Sequence, residues 1–264
     1  MSGYVATDGQ AYERSMGRWS RRLAEPFLDA LALPPGGTVL DAGCGTGALA
    51  DAIAARDTTA RITGVDISEA FLVTARARVP GAAFRTGDIA RLPDPDGTYD
   101  AALSLLVLQF VPDRAAAVAE MARVTKPGGL VAAAMWDFTG GFGFLRAFAD
   151  SVAAAEPDGE AFRTRYWGDA VGSPGRLAAL LTAAGLHAVA ERDIMIRQHF
   201  SDFADWWDPW LTGQGIAGAF VATLPPDRLA RVAALARRAY QAGAPDGPRS
   251  FVAVARLATG RRGA

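Results

Sequence analysis

The sequence has few of the side chains that build covalent cross-links and metal sites. Its 264 residues include one cysteine, Cys44, and two histidines. A lone cysteine can form neither an intrachain disulfide framework nor a multi-cysteine metal site, so both are excluded.

Long apolar runs and an excess of one charge are also missing. The longest apolar run, roughly residues 101–111, is shorter than the about 20 residues that a membrane-spanning helix needs. The chain begins without the basic and apolar segments of a signal peptide. The net charge is −1 and no dense basic run is present, whereas a nucleic-acid-binding protein usually carries a basic face. We therefore predict a cytoplasmic protein that binds neither membranes nor nucleic acids.

The most informative segment is Thr38–Leu49. A short apolar run there ends in Asp41 and then breaks into three glycines at alternate positions, followed by a helix-forming stretch. The glycines are Gly43, Gly45 and Gly47. A strand, a tight glycine turn and a helix N-terminus let the backbone approach a nucleotide-like ligand closely. The spacing also fits the G-x-G-x-x-A fingerprint of dinucleotide-binding proteins, so this segment alone does not decide between ligand classes.

Short apolar runs alternate with helical segments along most of the chain. This alternation predicts an α/β fold with a parallel sheet and helices on both faces. Ser68 and Asp113 are expected to cap helices, Ser173-Pro174 to begin one, and residues 126–129 to form a turn. The predicted strands are 38–41, 61–66, 82–86, 99–106, 130–135, 186–198 and 250–257.

The chain is predicted to be a single domain, residues 1–264, with three parts. Residues 34–200 and 249–258 form the core sheet. Residues 1–33 form an N-terminal helix that acts as a lid. Residues 201–248, which contain three of the six tryptophans, are too long for a bare loop and are expected to form a helical lid insertion.

Two acidic residues follow predicted strands and suit a nucleoside. Asp66 ends the second strand, where a carboxylate can accept hydrogen bonds from both hydroxyls of a ribose. Asp88 follows the third strand and can accept a bond from an adenine amino group, while Ile89 packs on the ring. Purely structural roles remain open, as a helix-capping acid for Asp66 and a turn acid for Asp88.

Four segments together resemble the class I S-adenosylmethionine-dependent methyltransferases: 39–47, 64–68, 86–89 and 123–130. A fifth, residues 99–113, resembles the fourth-strand region of the small-molecule group, methyltransferase type 11, that includes ubiquinone and menaquinone methyltransferases. The resemblance covers about residues 38–135. It implies a Rossmann-like, seven-stranded, mostly parallel sheet whose final strand is antiparallel, and S-adenosylmethionine as cofactor.

The resemblance also implies roles for particular residues. The three glycines let the methionine part of the cofactor lie against the backbone, Asp41 organises the loop and the amino group, and Tyr12 resembles a lid tyrosine. Ser104 and Leu105 are expected to offer backbone carbonyls to the amino group. The predicted cofactor-binding residues are Asp41, Gly43, Gly45, Gly47, Asp66, Ile67, Asp88, Ile89, Ser104, Leu105 and Tyr12.

The same resemblance restricts the class of molecule that can be the methyl acceptor. Residues 104–107 lack the Asn/Asp-Pro-Pro-aromatic segment of family members that methylate DNA adenine or protein glutamine. The single cysteine excludes an arsenite methyltransferase, and no acid-acid-Asn arrangement of the catechol type is evident, so we predict no metal. The expected acceptor is a small organic molecule.

No catalytic residue is assigned from sequence. Four residues are candidates to face the acceptor: Gln109 after the fourth strand, Trp136 and Asp137 after the fifth, and His199 at the start of the insertion. Packing or surface roles remain open for each of them.

The predicted function is in-line methyl transfer to an oxygen, nitrogen or carbon of that acceptor. One alternative is an S-adenosylmethionine-binding protein of the same fold that does not methylate. A less favoured alternative is a nicotinamide-dependent oxidoreductase. The sequence leaves the acceptor and the oligomeric state undetermined.

Overall fold

The computed structural model describes residues 9–167, 171–213 and 215–263, and it is built around a seven-stranded sheet. The strands are β1 Thr38–Ala42, β2 Arg61–Asp66, β3 Ala83–Thr86, β4 Tyr99–Leu105, β5 Thr125–Trp136, β6 His187–Phe200 and β7 Arg249–Arg261. Their order is β3-β2-β1-β4-β5-β7-β6. Strands β1 to β5 pair in parallel, whereas β7 is antiparallel to both β5 and β6. The predicted fold class is therefore confirmed.

Helices pack on the sheet and extend beyond it. They are α1 Gly9–Tyr12, α2 Arg18–Asp29, α3 Ala48–Arg56, α4 Glu69–Arg78, α5 Arg114–Val124, α6 Gly143–Ala155, α7 Gly159–Trp167, α8 Arg176–Ala183, α9 Phe203–Trp207, α10 Gly215–Val221 and α11 Pro226–Gln241. A π-helical turn, Glu13–Gly17, joins α1 to α2, and 3₁₀ turns occur at Leu108–Phe110 and Asp208–Thr212. Two predicted caps are confirmed, because the side chains of Ser68 and Asp113 accept bonds from the first turns of α4 and α5.

The central strands read as continuous apolar runs because helices cover both faces of the sheet. Residues 101–103 of β4 and 131–135 of β5 are completely buried. Several of these residues are alanines, whose small side chains let the helices pack closely against the strands. The chain reverses its direction of winding between β1 and β4, the neighbouring strands from which the sheet grows outward on either side. In open α/β sheets ligands bind in the crevice at the carboxyl ends of the strands at this point.

The predicted turn at residues 126–129 is wrong, because these residues begin β5. The backbone N–H of Gly128 donates to Arg262 O at 2.9 Å, and Gly129 O accepts from Arg262 N at 3.1 Å. The end of the chain therefore supplies partners that hold this segment extended. These partners lie more than 130 residues away in sequence, so a local pattern does not reveal them.

The helix start predicted at Ser173-Pro174 is also wrong. Helix α8 begins at Arg176, and its cap is Gly175, whose φ of +77° suits glycine. The Gly175 N–H donates to the Glu191 carboxylate of β6 at 2.7 Å. A side chain from a distant strand thus anchors the first turn, in place of the adjacent serine.

The segment between β6 and β7 is helical, as predicted. It contains α9, α10 and α11, and α11 packs against α6. Trp206 is 1% exposed, and its ring lies 5.6 Å from that of Tyr240 and 6.4 Å from that of Phe251 on β7. The insertion therefore shares its apolar core with the sheet. In the part of the chain described here, no helix is long and apolar enough to cross a membrane.

Candidate active site

The glycine turn after β1 forms the floor of the candidate site. Gly43, Gly45 and Gly47 have φ angles of +77°, +52° and +83°, which residues with a Cβ rarely adopt. A Cβ on Gly43 would lie 2.4 Å from Val107 Cγ1. The Gly43 N–H donates to Val65 O of β2 at 2.8 Å, which fixes the turn against the neighbouring strand. The glycines thus allow a close approach that no other residue permits.

Asp41, at the end of β1, is a buried carboxylate with an uncompensated oxygen. The residue is 1% exposed, and Oδ2 has no hydrogen-bond partner among the described residues. Burial is the main cause that raises the pKa of this carboxyl to about 7, and the nearby Asp66 charge adds to it. A cationic group placed here would pair with the carboxylate and reverse that shift.

Asp66 ends β2 and is held in a fixed orientation by the backbone. Its Oδ2 accepts from Gly45 N and its Oδ1 from Ser68 N, each at 2.9 Å. Burial raises the pKa of Asp66, and these two bonds oppose the shift. Each carboxylate oxygen keeps a lone pair for a further donor. The next residue, Ile67, is an apolar side chain that is 75% exposed beside the cavity.

Asp88 and Ile89 follow β3 and lie on the same side of the site. Asp88 is exposed, and its Oδ1 accepts from Ala90 N at 2.9 Å, which makes a local turn. Ile89 is 4% exposed. Both line the same cavity as Asp41 and Asp66. The ends of three adjacent strands therefore bring three carboxylates to one crevice.

The residue that follows β4, Leu106, is strained, and the sequence analysis missed it. Leu106 has a φ of +66°, which is costly for a residue with a Cβ, and its N–H donates to Ala134 O at 2.8 Å. Ser104 is fully buried, and its Oγ has no partner among the described residues. Leu105 and Leu106 line the cavity, whereas Ser104 does not. The partner that Leu106 binds lies on β5, 28 residues further along the chain, so no local sequence signal marks this residue.

The N-terminal helix covers the glycine turn. Tyr12 lines the cavity, its hydroxyl lies 3.2 Å from Ser20 Oγ, and its ring lies 5.0 Å from that of Phe71. Burial raises the pKa of the Tyr12 hydroxyl, so it stays protonated at neutral pH. Tyr12 ends α1, immediately before the π-helical turn, an irregularity that often marks functional sites.

A partly buried ionic cluster connects this helix to the glycine turn, and the sequence analysis missed it. Arg78, at the end of α4, pairs with Glu13 at 2.8 Å and donates to Thr46 O at 2.7 Å. Glu13 also accepts a hydrogen bond from the Thr46 hydroxyl in the glycine turn. We name Glu13, Thr46 and Arg78 the latch. The residues are distant in sequence, so no pattern along the chain predicts their contact.

The opposite half of the cavity is lined by aromatic rings. Trp136 stacks on Phe142 with ring centroids 4.8 Å apart, and Phe144 stacks on Trp210 at 5.2 Å. The rings of Phe142 and Phe144 meet edge to face at 4.8 Å, which joins the two stacks. We name these four residues, together with Phe138, the aromatic wall. The whole cavity has a volume of about 410 Å³.

Of the four acceptor-facing candidates, only Trp136 lines this cavity. The Gln109 side chain accepts from Val171 N at 2.8 Å, which holds the segment before α8. Asp137 closes a turn by accepting from Thr139 N at 3.0 Å and pairs with Arg256 at 3.3 Å. These contacts direct Gln109 and Asp137 to structural partners.

His199 is exposed and lies 2.6 Å from Ser250 Oγ through Nδ1. It borders a separate surface groove with Arg18 and Trp19. Among the predicted cofactor residues, Gly47 and Ser104 do not line the cavity, whereas the other nine do.

Comparison with known proteins shows where this chain belongs. A family profile described as "Methyltransferase domain" matches residues 40–133. The chain is 33% identical over 216 residues to a trans-aconitate 2-methyltransferase of Variovorax paradoxus, an alignment that covers 78% of both proteins. The chain belongs to the S-adenosylmethionine-dependent methyltransferases.

A second relative and a solved structure agree with this assignment. The methyltransferase is 34% identical over 180 residues to a demethylmenaquinone methyltransferase of Beutenbergia cavernae, covering 63% of this chain and 72% of that one. It shares the fold of a geranyl diphosphate C-methyltransferase from Streptomyces coelicolor, with a TM-score of 0.54 and 16% identity over 93% of this chain and 80% of that one.

S-adenosylmethionine is the cofactor of this methyltransferase, and the cavity fits it. The cofactor carries an amino group, a ribose with two hydroxyls and an adenine ring. The buried, unpartnered oxygen of Asp41 suits a cationic amino group. The oriented carboxylate of Asp66 suits two hydroxyl donors, and Gly43 and Gly45 of the glycine turn line the cavity with backbone alone.

Proposed function

We propose that this methyltransferase transfers a methyl group, by in-line displacement, to an oxygen, nitrogen or carbon of a small organic molecule. One observation carries the proposal. A single cavity of about 410 Å³ joins the strand-end carboxylates to the aromatic wall, so a cofactor and an apolar acceptor can meet without water between them.

The strand ends supply the groups that hold the cofactor. Asp41 pairs with its amino group, Asp66 accepts from the ribose hydroxyls, and Asp88 accepts from the adenine amino group. Ile67 and Ile89 are the apolar side chains for the two faces of the adenine. The glycine turn brings the backbone against the methionine part of the cofactor.

Other residues complete the cofactor half. The backbone carbonyls of Ser104 and Leu105 offer further acceptors to the amino group. Tyr12 closes the cavity above Phe71. The latch holds this tyrosine over the glycine turn, so Glu13 and Arg78 act as positioning residues.

S-adenosylmethionine supplies an activated methyl group when it is bound. The residues of the chain bind the two reactants, orient them and exclude water, and positioning of this kind can contribute about 7–11 kcal/mol. We assign no general base. Trp136 is the one candidate that lines the cavity. Its indole N–H can donate a hydrogen bond but cannot take up a proton, so Trp136 cannot act as a base.

The named relatives support a small acceptor. One is named for trans-aconitate and the other for demethylmenaquinone, and both are small organic molecules. We therefore propose a small organic acceptor for the present methyltransferase as well, and we do not assign a particular molecule.

We further propose that the chain is one domain in which residues 1–33 and 201–248 cover the core formed by 34–200 and 249–258; residues 1–8, 168–170 and 214 of these ranges lie outside the described residues. Tyr12 and Met16 from the first segment, and Pro209 and Trp210 from the second, line the cavity. A cover that admits an acceptor must open, and such motions often limit turnover. The cofactor together with an acceptor should protect the N-terminal segment from proteolysis more than the cofactor alone.

The proposal is tested by calorimetry and by product detection. S-adenosylmethionine should bind and NADH should not. A panel of small phenols, amines and carboxylic acids, screened for S-adenosylhomocysteine release, should contain an acceptor. A protein that binds S-adenosylmethionine but releases no product with any acceptor, including those in a cell extract, would contradict methyl transfer.

A further inference from the structure

We propose that the acceptor of this methyltransferase is an uncharged molecule with a flat aromatic ring, and that the aromatic wall holds that ring. This inference rests on the proposed function and specifies its substrate class. It predicts that polycarboxylates are excluded from the site.

The aromatic wall provides a surface for a flat ring. Its five side chains are 2–8% exposed, so their positions are set by packing. Trp210 comes from the insertion and is held between Phe144 and Phe148, with its ring 4.5 Å from that of Phe148. Aromatic rings prefer offset-stacked or edge-to-face partners at about 4.5–7 Å between centroids. An aromatic acceptor can continue this arrangement into the cavity.

The charges around the cavity oppose an anionic acceptor. The charged side chains among the described lining residues are Asp41, Asp66 and Asp88, all of them acidic. A carboxylate buried without a cationic partner is strongly destabilised. A molecule with three carboxylates would therefore lose its hydration and find no described cation in return.

Three arginines on the elements next to the wall are already paired with acids. Arg256 of β7 pairs with Asp137 at 3.3 Å and also with Asp193. Arg146 of α6 pairs with Asp150 at 2.8 Å, and Arg163 of α7 pairs with the same carboxylate at 3.2 Å. Turning one of these arginines into the cavity would leave its acidic partner without a counter-charge.

The aromatic wall can also donate a hydrogen bond to an uncharged polar group of the acceptor. The indole Nε1 atoms of Trp136 and Trp210 are buried and have no partner among the described residues. A buried N–H without a hydrogen-bond partner costs free energy. A substrate whose oxygen accepts a hydrogen bond from one of these indoles therefore binds more favourably. A hydroxyl or a carbonyl on an aromatic ring meets this requirement without carrying charge.

The reaction balances without a protein base. An electron pair of the acceptor, a lone pair on oxygen or nitrogen or a ring π pair on carbon, forms the bond to the methyl carbon while the sulfur–methyl bond breaks and its electrons remain on sulfur. The sulfonium becomes a neutral thioether. A proton carried by the acceptor atom passes to solvent water as the product leaves.

The test measures binding without requiring turnover. The protein is saturated with S-adenosylhomocysteine, and calorimetry then compares 1-naphthol, which is uncharged at pH 7, with citrate as a tricarboxylate. We expect 1-naphthol to bind and citrate not to bind. Removing the Trp210 ring in Trp210→Ala should weaken 1-naphthol binding about tenfold or more, while Trp210→Phe, which keeps a ring, should lose less.

A matched control distinguishes an effect of the aromatic wall on acceptor binding from an effect on the packing of the insertion. Trp207 is 6% exposed, belongs to the same insertion and does not line the cavity. Trp207→Phe should leave 1-naphthol binding unchanged. S-adenosylhomocysteine binding, measured for every variant, verifies that the site is folded, and Trp210→Phe remains informative if Trp210→Ala does not fold.

The outcomes separate the two proposals. A protein that binds S-adenosylmethionine and methylates or binds citrate in preference to 1-naphthol overturns the aromatic acceptor and leaves methyl transfer intact. Equal losses in Trp210→Phe and Trp207→Phe would also overturn it, because the wall would then act only through folding. A failure to bind S-adenosylmethionine would instead contradict the proposed function.

Discussion

The two halves of the cavity are built in different ways. The cofactor half consists of carboxylates and glycines at the ends of β1, β2 and β3, and each residue lies within or beside a recognisable local segment. The aromatic wall takes its rings from the end of β5, from α6 and its preceding loop, and from a 3₁₀ turn about 65 residues further along the chain. One half depends on local backbone geometry and the other on packing between distant elements.

This difference has a consequence for substitutions. Changes in the cofactor half should alter S-adenosylmethionine affinity through one or two defined contacts. Changes in the wall should alter acceptor affinity and leave the cofactor in place. Four substitutions test the first part of this contrast.

The largest effect is expected for Gly43→Ala. The new Cβ would meet Val107 at 2.4 Å and would require a φ of +77°. Strain and displacement of this kind cost about 3 kcal/mol, so S-adenosylmethionine affinity should fall about a hundredfold. Calorimetry measures the loss. Gly185→Ala is the matched control, since its φ is +78° but nothing lies within 4 Å of the added Cβ. Equal cofactor losses in both variants would mean that the clash with Val107 is unimportant.

The next effect is expected for Asp66→Ala, which removes the carboxylate that we propose accepts from the ribose hydroxyls. Its loss should cost about 1.5–3 kcal/mol, the net value of a hydrogen bond to a charged group, so affinity should fall about tenfold to a hundredfold. Asp57→Ala is the control. Asp57 also accepts from two backbone N–H groups, of Gly36 at 2.7 Å and Thr59 at 2.9 Å, but it does not line the cavity. If Asp57→Ala weakened cofactor binding as much as Asp66→Ala does, Asp66 would act only by holding its turn.

A pH dependence is expected from Asp41. Its pKa of about 7 lies above the usual value, so the native state keeps a proton that the unfolded state loses above about pH 4. The stability contributed by this group therefore falls as pH rises from about 4 to 7. Cofactor affinity should rise over the same range, by up to about tenfold per pH unit, because the ionised carboxylate pairs with the amino group. Asp41→Asn should reduce both dependences, which thermal unfolding and calorimetry between pH 5 and 8 can detect; Asp66, whose pKa burial also raises, accounts for part of what remains. An unchanged profile in that variant would assign the dependence to another group.

The smallest effect is expected at the latch. Glu13→Gln removes the charge that pairs with Arg78, and the Glu13 side chain is 12% exposed. S-adenosylmethionine affinity should fall about threefold, the size of a typical net hydrogen bond, and proteolysis within residues 9–29 should become faster. Glu25→Gln is the control, because the Glu25–Arg56 pair is exposed and such pairs contribute little. Faster proteolysis in both variants, or in neither, would contradict the latch.

The sequence predicted the cofactor half better than the acceptor half. Nine of the eleven predicted cofactor residues line the cavity, because strand ends and glycine turns carry local signals. Only Trp136 of the four acceptor candidates does so. Gln109 and Asp137 follow β4 and β5 as expected, but their side chains bind Val171 and Arg256, which are remote in sequence.

The latch and the aromatic wall show why the remaining residues escaped prediction. Glu13 and Arg78 read as ordinary charges on helices, and only the docking of α4 beside the N-terminal turn brings them together. Trp210 was predicted to belong to a covering insertion, yet the pattern did not distinguish it from Trp206, which lies in the core of the insertion. Which of the two rings faces the cavity depends on how the insertion packs against α6.

The sequence by itself determined the sheet, the order of its elements and the glycine turn that borders the cavity. Alternating apolar runs, caps and glycines act over a few residues, where backbone sterics leave few choices. The tertiary structure decided which side chains meet in the acceptor half, the strain at Leu106 and the contact between Glu13 and Arg78. Those features arise from packing between segments far apart in the chain, and close packing selects one arrangement only once every element is in place.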